Sequence, residues 1–209
     1  MTIETDGLAG VYGAKTPEDS RRAYDTWADS YDADTIANGY RLPFLGAGLL
    51  SSHLGRMHGP ILDAGCGTGL VGEMLMLMGY HHLTGCDLSP EMIARAGQTG
   101  AYGDLQVADM GEGLPFADDH FAGFVCVGSF GPGHAPPSTL RHLARVTRPG
   151  GHGVFNLIEA TRQEQGFPEV MDDLTRRGEW EVVQSTQPFA PFLLSEPELL
   201  TRAHVVRIL

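Results

Sequence analysis

The chain has 209 residues, 42% of them hydrophobic and 19% charged, which suits one domain with a three-layer α/β core and requires no second domain. Its formal net charge of −12 argues against a protein that grips a phosphate backbone, because such binding is driven by clustered Lys and Arg; no nucleic acid is expected as a partner. The longest apolar runs, such as Phe121 to Val127, fall far short of a membrane span, and the opening MTIETDG carries acid instead of the basic, apolar pattern of a leader, so a cytoplasmic location with no membrane partner is expected.

Residues 1–15 have mixed polarity and no period, and read as a mobile tail. Thr16-Pro17-Glu18-Asp19 then marks a helix start, with Thr16 as N-cap, Pro17 in the first turn and acids beside them. Tyr24, Trp27, Ala28 and Tyr31 fall at helical spacing on the helix that follows. That stripe is expected to pack on the core, with the Tyr31 phenol able to turn its polar tip to a ligand. Gly39 ends this helix and Pro43 begins another, from Phe44 to Leu54, whose apolar positions suit packing against the sheet; residues 16–59 are expected to form helices lying like a lid ahead of a core spanning 60–209.

The chain is organised around Pro60 to Met78. Ile61 and Leu62 form a short buried strand closed by Gly65, Gly67 and Gly69, and Leu70, Val71, Met74, Leu75 and Met78 continue with helical spacing. Glycines there let the backbone turn sharply and lie against a ligand, and the helix start favours an anionic or oxygen-rich group over the loop. Gly67 to Gly72 also satisfies G-x-G-x-x-G, but Gly65 already ends the strand, and a dinucleotide reading would start two residues late. Gly79 stops the helix, and Leu83 to Cys86 is a second strand ending at Asp87, at the distance where a parallel strand returns beside the first; its carboxylate can accept from both hydroxyls of a ribose. Ser89 and Pro90 then open a helix with Met92, Ile93 and Ala96 on its apolar side.

A third strand, Leu105 to Met110, again ends in an acid, Asp109, so the order is that of right-handed βαβ units in a parallel sheet. Phe121 to Val127 reads as a central strand, and the Gly- and Pro-rich stretch from Gly128 to Pro137 as a loop over the ligand crevice. A helix through Arg145 closes at Arg148-Pro149-Gly150-Gly151, followed by a strand from His152 to Ile158, a helical region from Ala160 to Arg177 broken near Gly166, and two last strands, Trp180 to Thr186 and His204 to Leu209. Arg141, Arg145 and Arg148 read as a solvated helix face. The three cysteines lack CxxC spacing and the nine histidines are scattered, so reduced core thiols and no metal site are expected.

Taken in order, Leu62-Asp63-x-Gly65-x-Gly67-x-Gly69, Asp87, Asp109, the Gly128 loop and the Arg148 to Gly151 turn resemble the class I S-adenosylmethionine (SAM)-dependent methyltransferases. Tyr24-Asp25-x-Trp27-Ala28-x-x-Tyr31-Asp32-x-Asp34, Val127-Gly128 and the run from Arg145 to Gly151 are similar to the small methyltransferase-like family of the Williams-Beuren chromosome region. The resemblance implies a Rossmann-like seven-stranded sheet in the order 3-2-1-4-5-7-6 with strand seven antiparallel. It also implies a SAM site drawn from Tyr31, Asp63, Ala64, Gly65, Cys66 and Gly67, then Asp87, Leu88 and Met92, then Asp109, Met110, Gly128 and Ser129. In that site Asp87 faces the ribose, and Asp109 and Met110 face the adenine. The acceptor is expected to be a small molecule; a protein acceptor, or SAM binding without turnover, are the alternatives. His134 is the first candidate for a base, with Tyr31 and Asn156 behind it.

Overall fold

A computed structural model of the chain describes residues 6–54, 59–131 and 133–209. Seven strands form one sheet: β1 (Ile61–Ala64), β2 (Leu83–Asp87), β3 (Asp104–Val107), β4 (Phe121–Cys126), β5 (Thr147–Ile158), β6 (Trp180–Ser185) and β7 (Thr201–Ile208). Their order is β3-β2-β1-β4-β5-β7-β6, and β7 runs antiparallel to both of its neighbours. This is the Rossmann-like arrangement that the resemblance implies.

Alternation along the central strands builds two cores. Phe124, Phe155 and Val206 face one side, where α7 (Thr139–Val146) and α8 (Phe167–Arg176) cover them with Leu140, Leu143 and Leu174. Their sequence neighbours Val125, Val154 and Val205 face the other side, against α5 (Leu70–Leu77) and α4 (Leu42–Leu54). Every residue of β4 is buried, as a strand covered on both faces requires. Helix α6 (Pro90–Gln98) completes the crossover from β2 to β3, buried through Met92 and Ala96.

Four features differ from the sequence reading. Met1 to Thr5 lie outside the described residues, but α1 (Asp6–Tyr12) is helical, and Val11 and Ala14 are buried, so the expected tail is largely an ordered element. The single helix expected up to Gly39 is two, α2 (Pro17–Trp27) and α3 (Tyr31–Ala37). Asp34 draws the break together by accepting from the Trp27 indole and the Ser30 hydroxyl, both at 2.8 Å. Helix α4 belongs to the core and not to a lid, because Leu50 and Leu54 are buried against the sheet. Residues 55–58 of the expected lid segment lie outside the described residues. Finally, Arg148 to Gly151 do not end before a strand but form an irregularity inside β5: Phe121 pairs with Thr147, while Gly123 pairs with His152.

Candidate active site

The C-terminal ends of β1, β2 and β4 meet at the turn after β1. Gly65 has φ +73°, and a Cβ there would collide with the Ser129 side chain, so the position needs glycine twice over. The turn spends its N–H groups within the protein. Gly65 and Cys66 donate to the Cys86 carbonyl at 2.8 and 3.0 Å, and Gly67 donates to Asp87 Oδ2 at 2.9 Å. Asp87 Oδ1 accepts from the Ser89 N–H at 2.9 Å. The negative group held by the Gly67 N–H is thus the protein's own carboxylate. Burial raises the Asp87 pKa, opposed by N–H groups of Ser89, Gly67 and Leu88.

Above this turn lies a cavity of about 290 Å³, lined among others by Gly65, Gly67, Asp87, Asp109, Glu112 and Ser129. Among the described residues its wall carries these three acids and no Lys or Arg. Such a wall suits a ligand with net positive charge and lacks a counter-charge for a pyrophosphate.

The N-terminal helices close over the strand ends through specific bonds. The Ser89 hydroxyl, which caps α6, donates to Asp25 at 2.6 Å; Thr68 donates to Asp32 at 2.5 Å; Ser20 donates to the Gly133 carbonyl at 2.5 Å. These bonds seat Tyr24 and Tyr31 on the cavity wall. A second cavity of about 120 Å³ lies beyond them and shares Tyr24, Tyr31, Tyr40, Gly128 and His134 with the first. At this junction the Tyr24 hydroxyl and His134 Nε2 are hydrogen-bonded at 3.0 Å. Burial pushes the Tyr31 and Tyr40 phenols up, Tyr40 to about 12. Gly128, at φ +72° and against the Tyr40 hydroxyl, donates its N–H at 2.8 Å to Asn156, whose amide donates at 2.7 Å to Thr201.

Residues 61–151 match the model of a methyltransferase domain family. The chain is 35% identical over 166 residues to methyltransferase-like protein 27 of Homo sapiens, covering 76% of this chain and 66% of that protein. The chain belongs to the class I SAM-dependent methyltransferases. It is 37% identical over 150 residues to a malonyl-[acyl-carrier protein] O-methyltransferase of Serratia marcescens, covering 69% of this chain and 54% of that one. An 18S rRNA (guanine(1575)-N(7))-methyltransferase of Saccharomyces cerevisiae is 48% identical over 61 residues, 29% of this chain and 22% of that one. The chain thus spans about two thirds of the human relative, about half of the second and about a fifth of the third. Among solved structures, a TehB-like SAM-dependent methyltransferase from Corynebacterium glutamicum has the same fold with TM-score 0.63 at 21% identity, over 90% of this chain and 100% of that one. The [4+2]-cyclase SpnF aligns with TM-score 0.70 at 16% identity, over 93% of this chain and 97% of that one.

Of the thirteen residues expected at the cofactor, ten line the first cavity: Tyr31, Gly65, Gly67, Asp87, Leu88, Met92, Asp109, Met110, Gly128 and Ser129, with Tyr31 and Gly128 shared with the second. Asp63, Ala64 and Cys66 do not line it. Asp63 is 2% exposed and accepts from the Tyr102 hydroxyl at 2.5 Å, while Tyr102 in turn accepts from the Gly72 N–H. Asp109 lies past the end of β3, with Oδ1 accepting from Gly111 at 2.8 Å. Among the candidate bases, His134 reaches the junction, burial pushes the Tyr31 phenol up, and Asn156 is occupied by Gly128 and Thr201. Tyr24, Tyr40 and Tyr102 were not anticipated at the site. Tyr24 carried a signal in the aromatic stripe, whereas Tyr40 and Tyr102 sit beside glycines in segments with no pattern.

Proposed function

We propose that the methyltransferase transfers the SAM methyl group to a small-molecule acceptor held in the second cavity. The observation that carries this reading is the pair of cavities meeting at Tyr24, Tyr31, Tyr40, Gly128 and His134. SAM fits the first cavity by charge, since a sulfonium and an ammonium suit a wall of acids without Lys or Arg. Gly65, Gly67 and Ser129 would hold its amino-acid part, Asp87 its ribose, and Asp109 with Met110 its adenine. When bound, the cofactor supplies a methyl carbon made electrophilic by the positive sulfur.

The chain's own residues do the rest. Tyr24, Tyr31 and Tyr40 exclude water from the junction, and the N-terminal helices hold them there. Aligning the acceptor atom with the methyl supplies much of the rate, because an in-line approach is the main requirement of the transfer. An acceptor that must lose a proton finds His134 at the junction, its ring held by the Tyr24 hydroxyl at 3.0 Å.

The test has two parts. Calorimetric titration with SAM, S-adenosylhomocysteine and NAD should give saturable binding of the first two only. Turnover with a methyl-labelled donor should then label a metabolite pool and not a protein extract. Label confined to protein would replace the small-molecule acceptor by a protein one, and NAD binding without a SAM response would sink the cofactor assignment.

A further inference from the structure

The second cavity differs from the first in having no formal charge on its wall. Among the described residues it is lined by no Lys, Arg, Asp or Glu. Apart from the Tyr24 and His134 pair, several of its polar side chains are already occupied within the protein. Tyr12 donates to Glu196 at 2.5 Å, the Trp27 indole donates to Asp34 at 2.8 Å, and Asn156 is taken by Gly128 and Thr201. What remains for a ligand is mainly ring surface. Tyr40 and Phe192 stack at 4.6 Å between centroids, and Phe130, Leu42 and Ile158 also line the cavity.

Building on the small-molecule reading above, we propose that the acceptor is an uncharged molecule with a flat apolar body and a phenolic hydroxyl, which is the atom methylated. A carboxylate, a phosphate or an alkylammonium would leave water for a wall without a counter-ion and pay its desolvation uncompensated. A flat ring gains from the offset and edge-on packing that aromatic walls favour. A phenol enters neutral and becomes a good nucleophile only as its proton leaves. The Tyr24 and His134 pair lies on the wall that both cavities share. In the transfer, the phenol oxygen forms a bond to the methyl carbon as the S–CH₃ bond breaks. The bonding pair stays on sulfur, which becomes a neutral thioether, and the phenol proton passes to His134. The positive charge thus moves from sulfur to imidazolium, and both products leave neutral.

The test uses the whole protein saturated with S-adenosylhomocysteine and titrated calorimetrically with 2-naphthol, 2-naphthoate, 2-naphthyl phosphate and 2-naphthylmethylammonium. The expected result is that 2-naphthol binds at least about tenfold tighter than each charged probe, and that Leu199→Lys, which puts a cation on the cavity wall, shifts the naphthol-to-naphthoate ratio toward naphthoate by about tenfold. With SAM and labelled methyl, 2-naphthol should become its methyl ether. If S-adenosylhomocysteine binds but a charged probe binds as well as 2-naphthol, or no probe binds, or bound 2-naphthol is never methylated, this proposal is overturned while the cofactor reading stands. If S-adenosylhomocysteine itself does not bind, the cofactor reading fails first.

Discussion

Asp87 links three parts of the fold with one carboxylate: the end of β2, the Gly67 N–H and the start of α6. Replacing it by Ala should weaken SAM binding by about 1.5 to 3 kcal/mol, roughly ten-fold to above a hundred-fold. Calorimetry on a variant with an unchanged far-ultraviolet spectrum measures this, and an unaltered dissociation constant would remove Asp87 from the ribose role. Two other buried groups set opposing pH dependences. Burial pushes the Asp63 carboxyl up to about 7, so its contribution to stability is complete below about pH 4 and is lost as pH rises through 7. Burial pushes His204 down to about 4, so its contribution is complete above about pH 6.5 and is lost as pH falls through 4. The slopes oppose each other over the same window. Relative to wild type, Asp63→Asn should therefore gain stability with rising pH between about 4.5 and 7, and His204→Gln should gain it with falling pH. Urea midpoints across that range decide it, and parallel curves would mean that neither group titrates differently on folding.

At the scale of elements, the N-terminal helices are joined to the strand-end loops by hydroxyl–carboxylate bonds from Thr68 and Ser89. Ser89 is central, because its hydroxyl accepts from the Met92 N–H as the cap of α6 and donates to Asp25 of α2. Ser89→Ala should destabilise the protein by about 1 to 2 kcal/mol, the usual loss for a cap, and should also loosen α2. Chemical unfolding gives the first quantity, and the rate of limited proteolysis between Trp27 and Tyr31 the second. A loss below a few tenths of a kcal/mol would show the cap to be dispensable. Because α4 and not α1 to α3 covers the sheet, deleting Met1 to Tyr40 should leave one cooperative thermal transition, weakened SAM binding and almost no methyl transfer. Aggregation or non-cooperative melting of the truncated chain would instead assign those helices to the core.

For the molecule as a whole, charge is the property that sets what to expect with nucleic acid. With a net charge of −12, and with Arg141 and Arg145 paired to Asp173 and Asp118 at 2.8 and 2.5 Å, no basic surface forms on α7. A stem-loop RNA should not shift in a mobility assay at about 0.15 M salt, and binding should not grow steeply as salt is lowered. A steep salt dependence would point to the kind of acceptor named for the rRNA-modifying relatives. No helix among the described residues is long and apolar enough to cross a membrane.

The strand ends, the glycine turn and the acids Asp87 and Asp109 were legible in the chain itself, because each depends on local rules. An apolar run closed by glycine ends a strand, a Ser-Pro pair opens a helix, and a parallel return of about twenty residues places the next acid beside the first. Sheet order and the antiparallel β7 came from resemblance and match the structure. The helix at Asp6–Tyr12 was not legible, because it has no period of its own: Val11 is buried in tertiary contacts, and Tyr12 is tied to Glu196 at 2.5 Å across the chain. Nor could Asp63 be told apart from Asp87, since both end strands. Only packing turns one toward Tyr102 and leaves the other on the cavity wall. The second cavity was likewise decided by tertiary structure alone. Its walls come from α1 to α4, the loop after β4, the end of β5 and the segment between β6 and β7. An uncharged lining is a property of which side chains converge, and distance along the chain carries no record of that.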